Sequence, residues 1–387
     1  MAGRDGTHEL MRMLLPMHIT SPWSRDVARR LAEMGHDVHV FDFELPVKRF
    51  LGYFGGAMLR PDLTEFTSRV HLHTARSAVH SKVRYIAGAY EFRNYCRRHR
   101  IDLVLALGCG GFATLTYLSG YRPYVVFATG SDVLLTRGLL RHFNRRILGS
   151  AAAVFANGLH LQVKTRELTC REDVQSLVLG TDPVRFSPPA ERPGDVRILC
   201  TRGFLPVYNN ESLIRALALI PETVGFGKVV FTSSGPSLDA VKTLAERLLP
   251  PAPRGKIEFL GGVSSDALLD HLKQSSIFVS MARSDGTSIS LLEAMACGLF
   301  PVLSDIPPNR EWIDPHRRNG LLVPLDRPRE LAAALEHAVT DPGMRARAAK
   351  INRQMVLERA DSRANIAVLA RVLEKLSNGG SLGAESR

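Results

Sequence analysis

Cysteine is scarce in this sequence, and what there is lies scattered. The five are Cys96, Cys109, Cys170, Cys200 and Cys297, an odd number with no CxxC pair. That argues against a disulfide framework or a zinc site, and it points to a reducing compartment. Each thiol is expected to be a small buried apolar residue. Aromatic residues are sparse too, at 7 %. No aromatic platform or known motif accompanies the basic residues, which argues against nucleic acid as a partner. The start, MAGRDGTHELMRM, has no apolar h-region and so does not read as a secretory signal. A long apolar run is also missing. The nearest approach is 103–121, uncharged over 19 residues, where a spanning helix needs about 20. Gly108, Gly110, Gly111 and Gly120, with two Thr and a Ser, interrupt it. Strand, glycine turn and helix account for it better than a lipid-facing helix. A cytoplasmic protein, peripheral at most on the inner membrane face, is the expectation. Internal repeats are absent.

What is present is a chain of 387 residues, 45 % hydrophobic and 23 % charged. That suffices for two folded domains with sizeable cores. The net charge is +12, unevenly spread: 24 Lys/Arg against 15 Asp/Glu over 1–180, and 26 against 23 over 181–387. A basic first half suits an acidic partner, or simply solubility. Arg93, Arg97, Arg98 and Arg100, and Arg137, Arg141, Arg145 and Arg146, are expected on helix faces. The hypothesis they support is docking on an anionic membrane surface, with solvated charge as the plain alternative.

Short apolar runs alternate with amphipathic stretches, the pattern of parallel sheets covered by helices. In the first half, strands are predicted at 13–17, 36–43, 70–73, 103–107, 124–129, 152–156 and 177–179. Helices are predicted at 23–34 and 77–98, and 44–69 is expected to include a long loop. Residues 180–195 hold four prolines and two glycines and read as a linker. The alternation then restarts. Strands are predicted at 197–200, 229–232, 257–260, 277–280, 301–303 and 321–323. Helices follow at 210–220, 238–249, 265–274, 290–296, 328–339 and, as one or two, 344–376. Residues 378–387 are expected to be a disordered tail. The fold class is therefore α/β: two doubly wound Rossmann-like domains facing across a cleft, 1–179 and 196–357.

The most informative stretch is 280–304, SMARSDGTSISLLEAMACGLFPVLS. A strand ends in a polar loop holding Asp285 and Gly286, and a helix follows from about Ser288. Free backbone N–H groups and the positive end of the helix dipole make such a start an anion site, suited to a diphosphate. Asp285 and Glu293 stand eight residues apart, and carboxylates accept hydrogen bonds from the vicinal hydroxyls of sugars. The plainer readings are a capping box at Ser290-x-x-Glu293 and an ordinary Asp285-Gly286 turn.

The stretch resembles the family 4 glycosyltransferases, which have the GT-B fold and mostly retain anomeric configuration. Their acid, seven residues, then Glu, running into EAMACG, appears as Asp285-GTSISLL-Glu293-AMACGLFPVLS, followed by NGLLVP at 319–324. The family usually has Glu at the first position. LGTDPVRFSP (179–188), TRGFLPVYNNESLIRAL (201–217), FLGGVSSDALLDHL (259–272) and RLAEMGHDVHVF (30–41) agree with further family motifs.

The resemblance implies that Glu293 binds ribose and Asp285 the donor sugar. Backbone amides around Gly286, Thr287, Ser288 and Ile289 would meet the sugar and diphosphate. Arg202 would neutralise the diphosphate. Tyr208 stands where the family has a phosphate-binding Lys, and Val263 would approach the base. Thr129 occupies the place of a cleft histidine. Asp132 nearby is either an acceptor-orienting acid or a helix N-terminal acid. A helix at 358–377 would pack back on the first domain. The donor would be a nucleotide-diphosphate sugar and the acceptor a glycan or lipid-linked hydroxyl, with no metal and no cofactor. Competing readings are a dehydrogenase, from Gly108-x-Gly110-x-x-Ala113, a sugar-nucleotide epimerase or other GT-B enzyme, and a catalytically silent nucleotide-sugar binder.

Overall fold

The computed structural model describes residues 10–19, 21–43, 63–75, 83–316 and 318–380. These fall into two compact units. One is formed by the residues up to 177 together with those from 363 on, the other by 178–362.

The first unit is built on a seven-stranded sheet. Its strands are β1 (Arg12–Met17), β2 (Asp37–Asp42), β3 (His71–Thr74), β4 (Leu103–Leu107), β5 (Tyr124–Ala128), β6 (Ala153–Ala156) and β7 (Gln175–Ser176). The order is β3-β2-β1-β4-β5-β6-β7, and every pairing is parallel. β4 and β5 are buried at every residue, as strands covered on both faces must be. That is why 103–121 is uniformly apolar at its start. The run divides into β4, a turn with Gly108 at φ +101°, and the helix Gly111–Ser119. Among the described residues no helix is long and apolar enough to cross a membrane.

Around this sheet the helix Pro22–Glu33 opens on its proline and buries Val27, Ala28 and Leu31. The helix predicted at 77–98 is seen as Val83–Arg98; its first six residues lie outside the described ones. So does 44–62 of the expected loop, beyond which a short helix, Thr64–Thr67, forms. β7 comes earlier than the predicted 177–179, because Val178 packs instead against the core of the second unit. The last helix, Ser362–Ser377, buries Ile366, Leu369 and Leu373. Its Glu374 lies 3.3 Å from Nε2 of His36 in the first unit. Residues 381–387 of the predicted tail are outside the described part.

The second unit has six parallel strands: β8 (Ile198–Cys200), β9 (Val229–Phe231), β10 (Ile257–Phe259), β11 (Ile277–Ser280), β12 (Phe300–Ser304) and β13 (Leu321–Val323). The order is β10-β9-β8-β11-β12-β13. One core cluster gathers Phe204, Ile214, Phe231 and Leu335, and another gathers Phe278, Leu292, Trp312 and Val356. Segment 180–195 is held on this unit. Arg353 donates to the carbonyls of Pro183 and Phe186, each at 2.7 Å. Arg192 donates to those of Ser275 and Cys297. Asn319 of the NGLLVP stretch is fully buried and donates to Asn352 Oδ1 at 2.9 Å. Asn352 in turn donates to the carbonyls of Leu299 and Asn319 at 3.1 and 3.0 Å.

In both sheets the strand order turns back on itself, between β1 and β4 and between β8 and β11. Ligand sites of open α/β sheets form outside the carboxyl ends of the strands at such reversals.

Candidate active site

In the second unit the reversal brings two loops together. β8 and β11 pair in parallel with Ile198 opposite Ile277 and Leu199 opposite Phe278. The segments that leave them, 201–209 and 281–288, therefore start side by side. The second of these ends at Ser288, which has extended backbone angles and caps the helix Ile289–Ala296. Its Oγ accepts from the N–H of Leu291 at 3.4 Å. The cap is two residues earlier than the Ser290-x-x-Glu293 box would put it. Glu293 consequently sits in the second turn with no capping role. Leu291, Leu292, Ala294 and Met295 are buried, whereas Ile289, Ser290 and Glu293 are half-buried. Residues three and four apart share a helix edge, so these three line the side left uncovered.

Arg202 comes from the other loop and is only 9 % exposed. Its Nη2 lies 2.7 Å from Asp285 Oδ2, and its Nη1 donates to Ser288 Oγ at 2.8 Å. The ring of Tyr208 faces the guanidinium, with Cζ 4.2 Å from its centre. Burial works against the charge on Arg202, but Asp285 and then Tyr208 outweigh it, so its pKa lies above the ordinary value. Asp285 is pushed up by burial, against the pull of Arg202 and of the Gly286 N–H, which donates to it at 3.0 Å. Tyr208 thus serves as a π face behind the arginine rather than as a second cation.

Side chains that no local pattern announces hold this arrangement. Asn210 is buried, and its Nδ2 donates to the carbonyls of Gly203 at 3.1 Å and Arg202 at 3.4 Å. Arg283 donates to both carboxylate oxygens of Asp326 at 2.6 Å, and its N–H donates to the Val207 carbonyl at 2.8 Å. Gly235, at φ +155°, sits so close under the Phe204 backbone that a Cβ would meet its carbonyl at 2.6 Å. The Asn209-Asn210 pair could be read as a helix start, but nothing local says that Asn210 grips the loop before it.

The carbonyl of Glu293 accepts from the Cys297 N–H at 3.0 Å, but its carboxylate accepts no hydrogen bond among the described residues. Burial pushes its pKa up to about 7, opposed by the distant attraction of Arg185. Arg185 itself donates to Ser265 Oγ at 2.9 Å and Asp266 Oδ1 at 2.7 Å. It thereby touches the start of the helix Ser265–Gln274, just after half-buried Val263. Thr287 and Ser288 are 4 % and 6 % exposed. Arg202, Tyr208, Asp285 and Ser288 are therefore gathered by direct contact. Glu293 stands further along the same helix, and Val263 on another loop of the unit.

Thr129 and Asp132 belong to the first unit. Asp132 Oδ2 accepts from the N–H of Cys109 at 2.6 Å, and Oδ1 from that of Gly130 at 2.7 Å. The N–H of Thr129 reaches both oxygens at 3.2 Å. A carboxylate bound to three backbone donors is a clamp: it ties the loop after β5 to the loop after β4. Gly108 shapes that second loop, and Gly110 precedes the helix Gly111–Ser119, which accounts for the Gly-x-Gly pattern without a dinucleotide.

Two parallel sheets of this order, in two units, are the GT-B fold. Among solved structures, sucrose-phosphate synthase of Thermosynechococcus elongatus aligns with a TM-score of 0.79 at 15 % identity, covering 96 % of this chain and 100 % of that one. Anabaena HepE in complex with UDP-glucose aligns with a TM-score of 0.75 at 16 % identity over 94 % and 100 %. Residues 185–355 match the family model described as glycosyl transferases group 1. Over 70 residues the chain is 39 % identical to the GDP-mannose:cellobiosyl-diphosphopolyprenol alpha-mannosyltransferase of Xanthomonas oryzae pv. oryzae, 18 % of this chain and 17 % of that protein. Over 161 residues it is 26 % identical to a GDP-mannose-dependent alpha-(1-6)-phosphatidylinositol monomannoside mannosyltransferase of Mycobacterium tuberculosis, 37 % and 41 % respectively. The matched stretches thus span less than half of these relatives. Together the matches support a glycosyltransferase of GT-B fold.

Proposed function

We propose that the protein transfers a sugar from a nucleotide-diphosphate-sugar donor to an acceptor hydroxyl, with retention and without needing a bound metal for the transfer. The reading is carried by one observation: Arg202, Asp285 and Ser288 meet at the start of a helix whose uncovered edge bears Glu293 with its carboxylate unused. Breaking the glycosidic bond leaves negative charge on a nucleoside diphosphate. A guanidinium and the N–H groups of Ile289 and Ser290, which have no acceptor within the helix, stabilise that charge as it develops. Glu293 then takes the ribose hydroxyls. The diphosphate displaces Asp285 from Arg202, and the freed carboxylate turns to the hydroxyls of the donor sugar. The bond from the anomeric carbon to the phosphate oxygen breaks, the bond to the acceptor oxygen forms on the same face, and the departing phosphate takes the acceptor proton.

Both relatives named above are described as using GDP-mannose and acting on lipid-bearing acceptors, which makes GDP-mannose and a lipid-linked acceptor the first pair to try. The first unit offers a surface for such an acceptor's membrane. Leu135, Leu139 and Leu140 are 49 %, 90 % and 55 % exposed. They lie on or just before the helix Gly138–Gly149, among the basic residues Arg137, Arg141 and Arg145, a pairing suited to an anionic interface.

The test is a thermal-shift screen with GDP, UDP, ADP and their sugars, followed by transfer assays. One nucleotide series should raise the melting temperature. Glu293→Ala and Arg202→Ala should each lower kcat/KM by about 100-fold or more, and chelators should leave transfer unchanged. Wild-type turnover in either folded variant would overturn the assignment.

A further inference from the structure

The first unit carries a second constellation, unrelated to the donor site. Asp37 and His39 project from the same face of β2, two residues apart. His39 pairs in register with His71 on the edge strand β3. The result is that two imidazole nitrogens converge on one carboxylate oxygen: Asp37 Oδ1 is 3.4 Å from His39 Nε2 and 3.3 Å from His71 Nε2. The two rings stack with centres 4.7 Å apart, and the three ligand atoms all lie within 4.8 Å of one another.

We propose that Asp37, His39 and His71 form a binding site for a divalent transition-metal ion, zinc by preference. Zinc holds nitrogen and oxygen ligands at about 2.0–2.2 Å in a tetrahedron, so neighbouring ligand atoms stand about 3.4 Å apart. Two of the three edges already have that length. The third closes by a turn of His71, whose side chain is 67 % exposed. A tetrahedral ion would then keep its fourth position toward solvent. The buried ligand is also oriented as metal-bound histidines are, through its other nitrogen: His39 Nδ1 is 2.9 Å from the hydroxyl of Tyr95. The second oxygen of Asp37 faces Arg12 at 3.5 Å, which leaves Oδ1 for the ion. Two imidazoles and one carboxylate select zinc, copper or nickel over magnesium or calcium, which prefer all-oxygen sites.

Tag-free full-length protein, stripped with chelator and dialysed against micromolar Zn2+, is assayed for bound metal. Wild type should retain about one equivalent. His71→Ala removes an exposed ligand and Asp37→Asn the shared oxygen; each should weaken binding more than tenfold while melting as a folded protein. Tyr95→Phe, which deletes only the hydrogen bond to His39, should weaken it by about tenfold. Cobalt in place of zinc should give the intense visible absorption of a tetrahedral site in wild type and not in His71→Ala. Failure of wild type to retain zinc, or equal retention by His71→Ala, overturns the proposal.

Discussion

At the scale of single residues, the proposed donor site is a balance of buried charge. Arg202 is held by three partners of different kinds: a carboxylate, a hydroxyl and an aromatic face. Tyr208→Leu keeps the loop filled but removes the π face. Nucleotide affinity should fall about fivefold by calorimetry, equivalent to about 1 kcal/mol for a cation–π contact. Glu293 makes a sharper prediction. Its folded pKa, about 7, exceeds the ordinary carboxylate value, so the folded chain holds this proton more tightly than the unfolded chain. The corresponding stability is fully present below the ordinary value and is lost as pH rises through about 7. Wild type should therefore lose melting temperature between pH 5 and pH 8 relative to Glu293→Gln. In the proposed reading the ionised carboxylate is the stronger acceptor for the ribose hydroxyls. Affinity for a nucleotide sugar, whose phosphates do not titrate in this range, should rise by up to about tenfold from pH 6 to pH 8 in wild type and stay level in Glu293→Gln.

At the scale of elements, the helix Ile289–Ala296 depends on Ser288, which both caps it and receives Arg202. Ser288→Ala should cost about 1 kcal/mol, a fall of about 2–4 °C in melting temperature, and should loosen the arginine as well. Asn352→Leu tests the buried amide pair behind β12. It strands the carbonyls of Leu299 and Asn319 and the amide of Asn319. The expected loss is on the order of 3 kcal/mol by chemical denaturation.

The strands were legible wherever burial on both faces made them apolar: β4 coincides with its predicted span, and β5 with all but the last residue of its own. The strand–loop–helix unit at 277–296 was legible for the same reason, together with its polar punctuation. What could not be read were contacts between distant loops. Arg283 on Asp326 and the pairing of His39 with His71 arise only when the register of neighbouring strands is fixed, while Asn210 reaches back within its own segment to the carbonyls of Arg202 and Gly203 through a loop shape that no residue pattern encodes. The capping pattern at Ser290 was locally sound, yet the chain caps at Ser288, where Arg202 supplies a further partner for the hydroxyl.

At the scale of the whole molecule, the uneven charge acquires a location. The basic residues of 137–146 share their helix with exposed leucines in the first unit. Vesicles containing anionic lipid should sediment the protein, and neutral vesicles should not. Leu139→Ser with Arg141→Glu should weaken that binding at least about tenfold, since each basic residue near the surface contributes about 1 kcal/mol. Equal sedimentation with neutral vesicles would remove the membrane from the account.

The helix Ser362–Ser377 belongs, from Arg363 on, with the first unit, although the whole of 178–361 precedes it in the chain. A ribosome adding about 5–20 residues per second spends roughly 10 to 40 s on those intervening residues. During that interval the first unit lacks the helix that carries the buried Ile366, Leu369 and Leu373. The first unit is thus begun before its neighbour and completed after it, so the length of that neighbour sets how long the first unit waits for its last helix.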